Sequence, residues 1–111
     1  MIEQMSVYIL GTEYAIKYLD SNSEPKLRDN DGYCETYSKE IIISTIEDSP
    51  LNLKMIERFQ NKVVRHEIIH AFLHESGLDS NSDWATNEEI VDWIAIQFPK
   101  MLKVFEEAKC M

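Results

Sequence analysis

Hydrophobic and polar positions change period partway along the chain. Up to about residue 45 the apolar residues come in short runs with strand character; beyond residue 50 they recur every three to four positions. The pattern predicts a small sheet followed by helices. Residues 6–10, Ser-Val-Tyr-Ile-Leu, read as a strand, with Gly11 as a turn or bulge. Residues 14–19 read as a second strand, favoured over a short helix by aromatic and β-branched content. Residues 21–31 are polar, contain Pro25 and read as an exposed loop closed by the Asp31-Gly32 turn signal. Residues 33–45 read as a hairpin. Tyr33, Glu35 and Tyr37 alternate with Cys34, Thr36 and Ser38, a turn follows at Ser38-Lys39-Glu40, and Ile41-Ile42-Ile43-Ser44-Thr45 is the strongest strand in the chain.

From Leu51 to Ser76 there is neither Gly nor Pro, and the pattern is helical. Asp48 or Ser49 can cap this helix, and Pro50 suits its first turn. Ile56, Phe59 and Val63 form one stripe; Val64, Ile68, Ala71 and Phe72 occupy other faces, which predicts a buried, central helix. Gly77 is placed to end it. After a polar link, Thr86-x-x-Glu89 fits a capping box that starts a second helix at Asn87, with Ile90, Val91, Ile94 and Ala95 facing inward. Pro99 is expected to break or kink it. Residues 101–110 then form a final amphipathic helix whose apolar face completes the core or meets a partner. The expectation is a single α+β domain over residues 1–111, with a small antiparallel sheet packed on a central helix and two C-terminal helices.

Composition narrows the function classes. The 111 residues carry a formal net charge of −9, which argues against binding nucleic acid through its phosphates and is compatible with a basic protein partner. No apolar run is long enough to span a membrane, and no basic residue precedes Lys17, so no leader is expected. Cys34 and Cys110 do not make a disulfide framework and read as free thiols of a cytoplasmic protein.

The chemistry concentrates in His66-Glu67-Ile68-Ile69-His70. Residues four apart on a helix are neighbours on one face, so the two imidazoles stand side by side and can share one metal ion, Zn²⁺ above all. Histidine and carboxylate also suit Mn, Fe, Co and Ni. Glu67 flanks the pair, where it can take a proton from a metal-activated water. Two imidazoles leave the site short of a third protein ligand. His74 lies eight residues from His66, roughly 12 Å along the axis, out of reach of a metal held by the first pair. The position ten residues after His66 is Ser76. A carboxylate is left, and Glu88 is the candidate, because Glu89 has a structural role available in the capping box; Glu89 stays open as the alternative. Asp92, four residues beyond Glu88, can accept a hydrogen bond from the far nitrogen of a ligating histidine. No residue is assignable to stabilise an oxyanion, although Tyr33 and Tyr37 carry hydroxyls.

H-E-I-I-H followed by N-E-x-x-x-D resembles the gluzincin pattern of zinc peptidases. The small size and the E-x-x-x-D-x-I-A segment, Glu88 to Ala95, resemble more closely the short ImmA/IrrE-type metallopeptidases of phages, mobile elements and bacterial regulators. The resemblance covers residues 32–99 loosely and the two motifs closely. It implies a zincin-like minimal domain, zinc as cofactor, Glu88 as ligand, and a specific protein target such as a repressor. In zincin-like folds an edge strand lies above the metal helix and can pair with substrate; residues 41–45 are the candidate, or else a plain core strand. The chain departs from the family in having no recognisable helix-turn-helix or other regulatory domain, and its N-terminal third matches nothing in the pattern. Two rival readings stand beside the peptidase: a non-catalytic zinc-containing protein-binding module of a phage or mobile-element regulatory system, and a chance motif in a metal-free domain.

Overall fold

A computed structural model describes residues 4–46 and 53–111. Four strands form one sheet: β1 (Gln4–Ile9), β2 (Thr12–Leu19), β3 (Gly32–Glu35) and β4 (Glu40–Ser44). Two helices follow, α1 (Leu53–Glu75) and α2 (Glu88–Glu107). Short 3-10 turns at Pro25–Arg28, Leu78–Ser80 and Asp83–Thr86 shape the connections. The α+β expectation holds. The proposed caps at Asp48, Ser49 and Pro50 lie outside the described residues.

The sheet order is β1-β2-β4-β3. β1 and β2 form a tight hairpin whose central residues, Leu10 and Gly11, both have positive φ. β3 and β4 pair antiparallel, but β2 and β4 run parallel, with Ile16 opposite Ile41 and Tyr18 opposite Ile43. The sheet is therefore mixed, not antiparallel as expected. Residues 20–31 carry the chain past the sheet end, so that β3 becomes an edge and β4 returns between its two neighbours. Residues 41–45 are accordingly no edge. Ile41, Ile42 and Ile43 are buried in the middle of the sheet, and the edge strand on this side is β3. A run of three isoleucines suits a position covered on both faces.

One face of the sheet packs on α1. Ile9, Tyr14, Ile16, Ile41 and Ile43 meet Val63 and Ala71, with Phe59, Val64 and Ile68 at the margin. β3 comes especially close to the helix at Gly32, where a Cβ would lie 2.8 Å from Val63 Cγ1 and 3.0 Å from the Ile42 carbonyl. Two polar ties fix the register of helix on sheet. Gln60 donates to the Ser44 carbonyl at 2.8 Å. At the other end Glu75 accepts from Thr12 Oγ1 (2.9 Å), the Tyr14 hydroxyl (2.7 Å) and Lys39 Nζ (2.8 Å). Gly77, at φ 81°, then ends the helix as expected.

The helices correct the sequence reading in three places. α1 is not covered all round: Phe72 is 43% exposed, and with Ile68, Ile69, Ile94 and Phe98 it lines an open apolar groove against α2. On α2, Val91 and Ala95 are buried but Ile90 is exposed. The expected two C-terminal helices are one, 20 residues long, continuous across Pro99. A proline removes the bond to the carbonyl four residues back, here that of Ala95. Arg65 Nε donates to that carbonyl at 2.7 Å. The orphaned acceptor is satisfied from the neighbouring helix, which removes one reason for the helix to break.

Candidate metal centre

The site forms where the second half of α1 meets the start of α2. Helical spacing places His66 and His70 one turn apart, with Nε2 atoms 3.2 Å from each other and rings edge to face. The beginning of α2 delivers the carboxylate. Thr86 does not cap this helix as expected, because its hydroxyl donates to the Asp83 carbonyl within a 3-10 turn (3.0 Å). Asn87 caps instead, accepting from the Ile90 amide at 2.9 Å. The shift by one residue puts Glu88 in the first helical position. There Glu88 Oε2 lies 3.1 Å from His66 Nε2 and Oε1 lies 2.5 Å from His70 Nε2. Glu89 is exposed and is not one of the converging ligand atoms.

Asp92, one turn along α2, reaches the other side of His66: Oδ1 lies 3.1 Å from Nδ1. The same oxygen accepts from Lys62 Nζ at 3.0 Å. Lys62 escaped the sequence reading, although its place four residues before His66 puts it on the same helix face. His74, excluded above on distance, pairs instead with Asp79, Nδ1 to Oδ2 at 2.8 Å.

These contacts test whether the residues fit a metal. Asp92 is an acceptor, so the proton of a neutral His66 belongs on Nδ1. Its Nε2 then offers a lone pair, which faces a carboxylate and a second imidazole nitrogen. The three ligand atoms lie within 4.8 Å of one another. Metal bonds of ~2.0–2.1 Å at tetrahedral angles would space such atoms about 3.3 Å apart. A cation between them would satisfy all three atoms at once; without one, a neutral His70 carrying its proton on Nε2 can donate to Glu88. Protonating both imidazoles is disfavoured at His70, whose pKa burial pushes down. The donor set fits Zn²⁺.

Glu67 lies beside this centre, only 7% exposed. Burial raises its pKa to about 7; the adjacent His66 opposes the shift and Glu88 adds to it. Among the described residues none hydrogen-bonds its carboxylate. It opens into a cavity of about 390 Å³ whose other walls include β3, Asn30, Asp79 and Thr86. A smaller one of about 220 Å³, lined by residues 29–32 and Lys62, lies on the other side of the centre. Both walls come from the 29–36 stretch, whose role only the folded chain reveals. Tyr33 contributes to the larger cavity, but burial, and after it Glu24 beside the hydroxyl, raises its pKa; Tyr37 is 96% exposed on the turn. Cys34 also lines the cavity, where burial together with the charge of Glu67 pushes its thiol up to about 12, and its sulfur is not among the converging ligand atoms.

No family model, curated protein or solved structure matches the chain.

Proposed function

We propose that this protein is a small zinc-dependent peptidase of the ImmA/IrrE-like, gluzincin type, built on a zincin-like minimal domain, that hydrolyses a peptide bond in a specific protein such as a regulator or repressor. The observation that carries this reading is the convergence of His66, His70 and Glu88 beside a buried carboxylate, Glu67, that opens into a cavity. A structural zinc site has no use for such a carboxylate, whereas hydrolysis requires a base of this kind.

His66, His70 and Glu88 would hold the ion. Zinc, when bound, supplies a Lewis acid that makes water more acidic and polarises a carbonyl. Glu67 takes the proton from the attacking water and returns it to the leaving amine nitrogen; a pKa near neutrality suits both transfers. Asp92 keeps the proton of His66 on Nδ1, leaving Nε2 free to ligate. β3, the edge strand beside the cavity, offers its outer backbone groups to an extended substrate, the role considered above for residues 41–45. Among the described residues no helix is long and apolar enough to cross a membrane. With its free thiols, the protein is best placed in the cytoplasm, with a protein substrate and neither nucleic acid nor membrane as partner.

Glu67→Gln is the test. Zinc content should stay near that of wild type while cleavage of a protein substrate is lost; cleavage that survives removes Glu67 from the role. A second reading, a zinc-containing docking module, draws support from the exposed apolar residues of α2, Trp93 and Val104. It would be the better account if Glu67→Gln kept the biological effect and His66→Ala abolished it.

A further inference from the structure

We propose that the cavity beside Glu67 and His70 receives a basic side chain, lysine or arginine, next to the scissile bond, with Asp79 as the carboxylate that selects it and His74 as the residue that positions Asp79. The proposal rests on the peptidase reading and adds the substrate class to it. At about 390 Å³ the cavity falls within the range of small-ligand sites, about 300–1,000 Å³, roomy enough for one long side chain. Among the described residues its wall carries three carboxylates, those of Glu67, Asp79 and Glu88, and neither lysine nor arginine lines it. Two of the three have work elsewhere: Glu88 faces the histidine pair, and Glu67 is the base.

Asp79 is the one without a task in the chemistry. Its Oδ2 accepts from His74 Nδ1 at 2.8 Å, and its Oδ1 has only the Ser80 hydroxyl near it, at 3.4 Å, among the described residues. His74, donating from Nδ1, holds the carboxylate in place. This also accounts for the third histidine of the helix, which stands too far along α1 to share the metal of the other two. A neutral side chain entering the cavity would strip water from Asp79 and return nothing. An acidic one would add repulsion. A cation is the class that compensates Asp79, and a site built around a charge discriminates because the wrong occupant leaves that charge unpaired.

The experiment uses the zinc-loaded protein and peptide hydroxamates as probes. The residue next to the metal-binding group, on either side, is lysine, norleucine or glutamate, and Kd is measured for each. Lysine should bind about tenfold or more tighter than norleucine, with glutamate weakest. In Asp79→Asn the lysine-to-norleucine ratio should fall below about twofold, and Asp79→Lys should reverse the order of lysine and glutamate. His74→Ala should reduce the ratio and His74→Gln, which keeps a donor, should restore part of it. Zinc stoichiometry read on every variant establishes that the centre is intact. Hydroxamates that all bind without preference in wild type overturn the proposal and leave the peptidase reading standing. Hydroxamates that do not bind the zinc-loaded protein at all overturn both.

Discussion

His66 Nδ1 lies 3.1 Å from Asp92 Oδ1, a contact that joins the two helices on the far side of the histidine from the proposed metal position. It decides which nitrogen of His66 keeps its proton. Asp92→Ala should therefore weaken zinc binding about 10–100-fold, the range for loss of a carboxylate that orients a ligating histidine. Competition against a chromophoric chelator measures this directly. An unchanged affinity would show that His66 is oriented by its packing alone.

The two neighbouring glutamates at the start of α2 should part company. Glu88→Ala removes one of three converging ligand atoms, and protein purified without a histidine tag should lose most of its zinc; Glu89→Ala, at an exposed position, should not. Metal analysis of wild type and both variants in parallel is the measurement. Zinc lost on changing Glu89 and kept on changing Glu88 would reverse the assignment.

Glu67 and Glu75 should give stability profiles of opposite sign in the metal-free protein. Lys39, then the Tyr14 hydroxyl, pull the Glu75 pKa from 4.5 down to about 2. A carboxylate depressed in the folded state stabilises above its unfolded pKa, and that stability is lost as the pH falls from about 4.5 towards 2. Glu75→Gln should lower Tm at pH 7 and much less near pH 2. Burial raises Glu67 to about 7, so the folded state holds this proton more tightly than the unfolded chain, and stability falls as the pH rises from 4.5 through 7. Glu67→Gln should raise stability at pH 8 by on the order of 1–3 kcal/mol and leave it nearly unchanged at pH 4. Thermal melts across this range check both signs. A carboxylate kept at such a cost is what a functional base looks like.

Arg65 and Pro99 should be coupled through the carbonyl of Ala95. Arg65→Met strips that carbonyl of its donor and should cost about 1–3 kcal/mol. In a Pro99→Ala background the restored amide can reach the same carbonyl, and the cost of Arg65→Met should shrink to less than half. A double-mutant cycle by chemical denaturation reads the coupling. Additive effects would mean that Arg65 acts elsewhere.

Gly32→Ala should destabilise by about 1–3 kcal/mol through overpacking, because its Cβ would meet Val63 and the Ile42 carbonyl. Val63 is one turn before His66, so zinc affinity should fall with it. Val63→Ala in the same chain makes room and should recover part of both; no recovery would place the strain in the backbone of β3 instead.

Much of this was written in local patterns. The pair His66 and His70, the carboxylate beside them, and Asp92 one turn beyond Glu88 follow from helical spacing, because α-helical geometry is the same wherever a helix forms. The strands, the turn at Gly11 and the helix end at Gly77 are equally local. What depends on distant partners required the folded chain. Burial of the isoleucines cannot say which strands flank them, so the parallel pairing of β2 with β4 and the edge position of β3 come only from the path of residues 20–31. The passage of α2 through Pro99 coincides with a donor 34 residues away on another helix. The capping residue moved from Thr86 to Asn87 because a preceding turn took up the threonine hydroxyl. The cavity wall, with Asp79 held by His74, is an assembly of strand edge, helix and turn that no spacing along the chain encodes. Periodicity fixes which side chains share a face; which faces meet is decided by packing.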